Sequence, residues 1–203
     1  EAALRERAPN ADIRHVDALD YVTPLLRAIY VKGSIGLINV APSMYGFGYR
    51  LSDRGDGRTP FADWLHGTQC RRLRRLVEDF RPDAILATHF LPPRVLAGLA
   101  PIDVLVTDFD FHRMWLAPSA RRYFVATDIV AEKMTRIGIA PEHIQVTGLP
   151  VGPGFALPID RGAILTALGL DPGISTILVS TGGAGMATLP RIVGRLLDLP
   201  PPV

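Results

Sequence analysis

Short apolar runs alternate with helical patterns along most of the chain. Residues 84–88, 104–107, 123–126, 144–147 and 176–179 are runs of this kind, and each is short enough to be a strand. Strands that are apolar throughout and alternate with helices form parallel sheets covered on both faces. The pattern therefore predicts an α/β fold in which ligands bind beyond the carboxyl ends of the strands.

The remaining periodicity predicts the helices and a domain boundary. Helices are expected over residues 1–7, 70–80, 129–137, 160–169 and 189–197, and residues 12–16 alternate like a strand. Pro150, Pro153 and Pro158 alternate with glycines, which is typical of a linker. We expect one Rossmann-like domain over residues 1–155, without its first strand, and the start of a second over residues 156–203. The chain is expected to be a fragment of a longer protein.

Composition and charge narrow the class of protein. The 203 residues are 48% hydrophobic and 21% charged, which excludes a disordered or fibrous chain. A net charge of +2 gives no reason to expect nucleic acid as a partner. The single cysteine, Cys70, fits a reducing compartment and excludes a cysteine metal site. The chain contains no obvious signal peptide or membrane span, so we expect it in solution or on a membrane surface.

A glycine-rich turn lies between the last apolar run and the last helix. Its sequence, Ser-Thr-Gly-Gly-Ala-Gly-Met over residues 180–186, leaves backbone amides free next to a helix N-terminus. Such a turn suits a phosphate group, although it is neither a P-loop nor the dinucleotide fingerprint. A tight connection without a ligand explains the turn equally well.

Polar residues follow two of the predicted strands. Asp108, Asp110, His112 and Trp115 leave the sheet within eight residues, where a simple connection would carry glycine, proline or serine. His112 suits a general acid, a general base or a donor to diphosphate, and the alternative is that Asp108 caps a turn and Trp115 belongs to the core. His89 follows a neighbouring strand, where it is either a structural residue or part of the same site.

The segment 21–50 differs from the rest of the chain. Its apolar and aromatic residues, including Tyr30, Phe47 and Tyr49, are interleaved with the cations Arg27, Lys32 and Arg50. This is what a surface that enters an anionic membrane requires, and it also describes an ordinary pair of core helices. The arginines at 71, 72, 74 and 75 are either a solvated helix face or a second patch for lipid head groups.

Taken together, these motifs resemble the monogalactosyldiacylglycerol synthase family, which includes bacterial processive diacylglycerol glucosyltransferases. The resemblance covers nearly the whole chain, and its collinear order is more specific than any single motif. The matching motifs are Val16-Asp17, residues 21–30, Val31-Lys32-Gly33, residues 49–53, Arg81-Pro82-Asp83, Thr88-His89, Val106-Thr107-Asp108, His112, Trp115, Tyr123-Phe124-Val125, residues 146–151 and Gly182-Gly183-Ala184-Gly185-Met186.

The resemblance implies a GT-B glycosyltransferase that transfers a hexose from a UDP-sugar to diacylglycerol, with inversion and without a metal or other cofactor. By position, Gly182, Gly183, Gly185 and Met186 would bind the donor diphosphate. His89, Asp108, His112 and Trp115 would lie on the acceptor side. Tyr30, Phe47 and Tyr49 would face anionic lipids on the inner surface of the cell membrane, with the protein cytoplasmic and peripheral.

The same resemblance leaves several points open. The family's expected catalytic base lies in a Gly-His loop upstream of Glu1, so this chain alone is expected to be inactive. Ala184 and the pair Ala187-Thr188 depart from the family loop, and the donor hexose is either glucose or galactose. The alternatives are the N-acetylglucosaminyltransferase of peptidoglycan synthesis, a UDP-sugar epimerase, and a membrane-surface module that binds lipid without turnover.

Overall fold

A computed structural model describes residues 2–30, 53, 67–180 and 189–198. The chain divides into two compact units, and among the described residues the division falls between Leu149 and Pro150. The residues predicted to bind the donor diphosphate (Gly182, Gly183, Gly185 and Met186) and two of the predicted membrane residues, Phe47 and Tyr49, lie outside the described residues.

The first unit is built on a parallel sheet of four strands in the order β1-β2-β3-β4. The strands are β1 (Ile85–Ala87), β2 (Ile102–Leu105), β3 (Ala120–Val125) and β4 (Ile144–Val146). Ile85 aligns with Ile102, Val104 with Tyr123, and Tyr123 with Ile144. Sequential parallel strands need crossover connections, and the chain provides them with helices and turns. The predicted α/β, Rossmann-like class is confirmed.

Within the described part of this unit, five helices have both of their ends defined. They are α1 (Ala2–Arg7), α2 (Pro24–Ala28), α3 (Arg71–Phe80), α4 (Leu91–Val95) and α5 (Asp128–Arg136), with 3-10 turns at Ala18–Tyr21, Arg113–Trp115 and Pro141–His143. Local chemistry sets the ends of α5, because the Thr127 side chain accepts a hydrogen bond from the Val130 amide and Gly138 follows with φ 99°. Helix α3 instead is followed by Arg81 in the left-handed region, with φ 50°.

The core of the first unit joins both faces of the sheet to these helices. Val104 and Val125 of the sheet, Val106 just after β2, Leu91 of α4 and Met134 of α5 are fully buried. Strand β2 is buried at three of its four positions, as predicted for a strand covered on both faces, and it spans Ile102–Leu105 rather than the predicted residues 104–107. Residues 12–16 form no strand, so that prediction was wrong. Instead, the Arg5 side chain donates a hydrogen bond to the backbone carbonyl of Ile13 at 2.8 Å.

The second unit contains a 3-10 turn, Pro153–Ala156, and the helices α6 (Arg161–Ala167) and α7 (Leu189–Leu197). Asp160 caps α6 by accepting from the Ala163 amide at 3.0 Å, as predicted. The prediction of a strand at residues 176–179 was wrong. No described strand pairs with this segment, and Ile177 and Leu178 are 70% and 89% exposed. An apolar run becomes a strand only where a neighbouring strand satisfies its backbone groups.

Candidate functional site

The carboxyl ends of β1 and β2 bring together the aromatic residues that the sequence singled out. Strand β1 ends at Ala87 and leads into His89, and β2 ends at Leu105 and leads into Trp115. Because the two strands are parallel neighbours, the residues that follow them lie at the same edge of the sheet. Tyr30 reaches the same place from the end of α2.

Four rings form this ring cluster, which we define as Tyr30, His89, Phe90 and Trp115. The His89 and Phe90 ring centroids are 4.1 Å apart, and Trp115 lies 6.4 Å from His89 and 6.2 Å from Phe90. Tyr30 meets His89 edge-on at 6.1 Å and Phe90 at 5.9 Å. The edge-to-face pairs, Tyr30 with His89 and Phe90 with Trp115, have the separations that aromatic pairs favour, and the remaining pairs are tilted. Phe90 gave no functional signal in the sequence, since an aromatic residue after a strand usually belongs to the core.

Asp108 fixes the tryptophan of the ring cluster. The Trp115 Nε1–H donates to Asp108 Oδ2 at 2.8 Å, and Trp115 is otherwise enclosed, at 4% exposure. A buried indole N–H needs an acceptor, and a carboxylate is a strong one. Asp108 itself remains exposed. It therefore presents a negative charge beside the rings while it holds Trp115 in place.

The His112 side chain is more deeply buried than that of a solvent-accessible general acid or base. It is 3% exposed, its Nδ1 accepts from the Met114 amide at 3.0 Å, and its Nε2 lies 3.8 Å from Asp53 Oδ1. Asp53 also accepts from the Arg113 amide at 2.8 Å. In this arrangement His112 shapes the turn that carries Trp115. The partnership with Asp53, 59 positions away, had no signal in local sequence patterns.

Two cations hold the same loop from outside. Arg94 of α4 donates from Nε to the Met114 carbonyl at 3.1 Å, and Lys133 of α5 contacts Asp110 at 2.8 Å. The Lys133 hydrogen bond lowers the pKa of Asp110, so this carboxylate stays ionised at neutral pH. The loop from β2 to Trp115 is thus tied to helices on both of its sides.

The ionisable rings of the cluster are uncharged at neutral pH. Burial lowers the pKa of His89 from 6.5, and the carboxylates of Asp108 and Asp17 oppose that effect. Burial also raises the pKa of Tyr30 to about 12, with Cys70 acting in the same direction and Arg94 against it. Within the described ranges, no group of three potential metal ligands occurs. The site suits a ligand that is uncharged where it meets the rings.

The residues predicted to meet a membrane separate into two groups. Tyr30 is half-buried in the ring cluster, whereas Leu25 of α2 and Ile29, the residue after α2, are 61% and 47% exposed. None of the helices in the described ranges has the length and apolar character needed to cross a bilayer.

The four arginines at residues 71, 72, 74 and 75 also differ in their contacts. Arg74 donates to the Val95 carbonyl, the Arg72 guanidinium lies 5.9 Å from the Tyr21 ring, and Arg71 and Arg75 are exposed. The run is therefore partly structural, and three of its four arginines (Arg71, Arg72 and Arg75) remain exposed to solvent or to another surface.

Comparison with known proteins identifies the family of this chain. A family model described as monogalactosyldiacylglycerol (MGDG) synthase matches residues 1–151, which include every residue of the ring cluster. The chain belongs to the monogalactosyldiacylglycerol synthase family. The family expected from the sequence is thereby confirmed.

Curated relatives agree with the family model. The chain is 31% identical over 172 residues to proteins named processive diacylglycerol beta-glucosyltransferase from Staphylococcus aureus strains JH9, Newman and JH1. In each case the match covers 81% of this chain and 42% of the relative. The chain thus spans less than half the length of the relatives it matches.

Proposed function

We propose that the natural protein transfers a hexose from a UDP-sugar to diacylglycerol, with this chain contributing the acceptor side of the site. The family match over residues 1–151 is the observation that carries the proposal. The ring cluster supports it independently, because it lies beyond the carboxyl ends of parallel strands, where ligands of such sheets bind.

The charge around the ring cluster favours diacylglycerol over a polyprenyl-diphosphate acceptor. Asp108 and Asp17 are both near His89, whose own pKa is lowered by burial, and the nearby guanidinium of Arg94 is bound to a backbone carbonyl. A diphosphate would meet these two carboxylates, and the repulsion between like charges would disfavour it. Diacylglycerol presents hydroxyl and ester oxygens without charge, so it avoids that repulsion.

Glycosyl transfer also requires stabilisation of the leaving diphosphate and removal of a proton from the acceptor hydroxyl. We assign the first role to the backbone amides of the turn at Gly182, Gly183, Gly185 and Met186, since aligned amides stabilise developing negative charge without a metal. A base removes the proton from the hydroxyl group of the lipid. Because the hydroxyl oxygen attacks the sugar from the face opposite the leaving diphosphate, the transfer inverts the anomeric centre.

We further propose that the protein works at the inner membrane surface and that anionic lipids assist its binding. The exposed Leu25 and Ile29 supply apolar contact, and the exposed Arg71 and Arg75 supply positive charge. A peripheral location is consistent with an acceptor that is itself dissolved in the bilayer.

The test is transfer of radiolabelled hexose to diacylglycerol in vesicles by the full-length natural protein. We expect a glycolipid product from UDP-glucose or UDP-galactose that persists in the presence of a chelator, and no product from the 203-residue chain alone. UDP-N-acetylglucosamine with a polyprenyl-diphosphate acceptor is the comparison reaction. Product in that reaction alone, or in neither, would refute the assignment.

A further inference from the structure

The proton on the His89 ring has a defined position. The Leu91 amide donates a hydrogen bond to His89 Nδ1 at 3.2 Å. A neutral imidazole has one nitrogen that accepts and one that donates, so this contact places the proton on Nε2. Leu91 is the first residue of α4, and its amide is one of those that a helix leaves without an internal partner.

The surroundings keep this ring in its neutral form. The His89 ring is half-buried against Tyr30, Phe90 and Trp115, and burial lowers its pKa. The two carboxylates that act on it, Asp108 and Asp17, favour protonation but do not overcome burial. Protonation would also put a proton on Nδ1, directed at the Leu91 N–H. Neutral His89 therefore keeps the Nε2–H tautomer.

The Nε2–H is a donor without an acceptor in the part of the chain that the structure describes. It lies across the imidazole from the nitrogen that contacts Leu91, on a ring that is still partly accessible. An uncharged donor among aromatic rings suits an uncharged oxygen. The acceptor lipid of the proposed reaction offers two kinds of uncharged oxygen, the free hydroxyl and the ester carbonyls.

We infer that His89 donates a hydrogen bond from Nε2–H to an ester carbonyl oxygen of the lipid acceptor and thereby orients it, which rests on the function proposed above. A donor placed on the attacking hydroxyl oxygen would withdraw electron density from the nucleophile, so the ester carbonyl is the suitable partner. His89 is then not the base, because Nδ1 is occupied and Nε2 already carries its proton.

The experiment compares an ester-linked acceptor with its ether-linked analogue, 1,2-dialkylglycerol, in the full-length protein and its His89→Ala variant. The analogue retains the hydroxyl and lacks both carbonyls. For the unaltered protein we expect kcat/KM to be about tenfold lower with the ether lipid, the cost of one hydrogen bond of about 1.4 kcal/mol. His89→Ala should lose about tenfold with the ester and nothing further with the ether.

The outcomes separate this inference from the proposed function. Equal discrimination between ester and ether in both proteins would overturn the carbonyl contact while leaving the transferase assignment intact. Absence of product with either lipid in the unaltered protein would instead reject the proposed function.

A set of replacements distinguishes binding from base catalysis. His89→Gln restores an N–H donor near the position of Nε2, and we expect it to regain most of the kcat/KM that His89→Ala loses. His89→Asn reaches only the position of Nδ1, so it should behave like alanine. A loss of kcat of about 10²-fold or more that is equal in all three variants would identify His89 as a base and overturn the inference.

A spectroscopic test does not depend on turnover. Nitrogen NMR of the imidazole rings distinguishes the two neutral tautomers, and His89→Gln identifies the His89 signals by their disappearance. At neutral pH in the full-length protein we expect the proton on Nε2. A proton on Nδ1, or a fully protonated ring, would contradict the proposed contact.

Discussion

At the residue scale, Asp108 stabilises the buried Trp115 although its own side chain is exposed. Its carboxylate accepts the Trp115 Nε1–H at 2.8 Å, and Trp115 is only 4% exposed. We expect Asp108→Ala to lower the free energy of unfolding by about 1–3 kcal/mol, because the indole N–H is left without its acceptor. Urea unfolding followed by tryptophan fluorescence measures this effect.

The matched control for this change is Asp108→Asn. The amide oxygen still accepts from the indole, so most of the stability should be retained while the charge is lost. If alanine and asparagine were equally destabilising, the charge of Asp108 rather than its hydrogen bond to Trp115 would be the stabilising factor.

His89 should make the stability of the protein depend on pH. Its pKa in the folded protein is lowered from 6.5 by burial, with Asp108 and Asp17 opposing, so the unfolded chain binds a proton at higher pH than the native state does. The stability associated with the neutral ring is present above pH 6.5 and is lost as the pH falls from there toward the lower native pKa.

We therefore expect the free energy of unfolding to fall on going from pH 7.5 to pH 5, and to fall less in His89→Gln. Subtracting the two denaturation series removes the contribution of the other four histidines. The same pH dependence in both proteins would mean that the folded and unfolded pKa values of His89 do not differ.

At the scale of the element, helix α5 illustrates how a face is chosen. Met134 is fully buried and Ile129 is 76% exposed, although both are large apolar residues in one nine-residue helix. Met134→Ala removes packed volume and should lower the free energy of unfolding by about 2–5 kcal/mol. Ile129→Ala, measured by the same chemical denaturation, should change it by no more than about 0.5 kcal/mol. Similar losses from the two changes would show that Ile129 is covered in solution.

Local patterns predicted the elements better than they predicted the partners of those elements. The α7 helix begins and ends at Leu189 and Leu197, as the spacing of its apolar residues indicated, and Asp160 and Gly138 mark helix ends where expected. These signals depend on residues within one or two turns. Residues 12–16 and 176–179 failed because a strand also needs a neighbour, which a local pattern does not contain.

On the scale of the whole molecule, the proposed membrane contact is open to a direct test. Leu25 of α2 and Ile29, the residue after α2, expose apolar side chains shortly before Tyr30 of the ring cluster. We expect the Leu25→Ser, Ile29→Ser double variant of the full-length protein to sediment less with phosphatidylglycerol vesicles, because apolar area no longer enters the bilayer.

Ile129→Ser is the control for that experiment, since Ile129 is also exposed but belongs to α5. It should sediment like the unaltered protein. Equal sedimentation of all three proteins would remove α2 from the membrane contact, and an equal loss in both variants would indicate a general effect of surface hydrophobicity.

Sequence alone determined the α/β class, the family and most helix ends, because each depends on residue order or on chemistry within a few positions. It also placed His89, Asp108 and Trp115 at one edge of the sheet, since parallel strands share that edge. The tertiary structure decided which other residues contact this part of the protein. Asp53 contacts the Arg113 amide, Phe90 joins the rings, and the Leu91 amide selects the His89 tautomer. The Asp53 contact and the approach of Phe90 to Trp115 join segments that are distant along the chain and meet only when the sheet and helices pack. The contact between Leu91 and His89 spans two positions and depends on how the chain turns into α4.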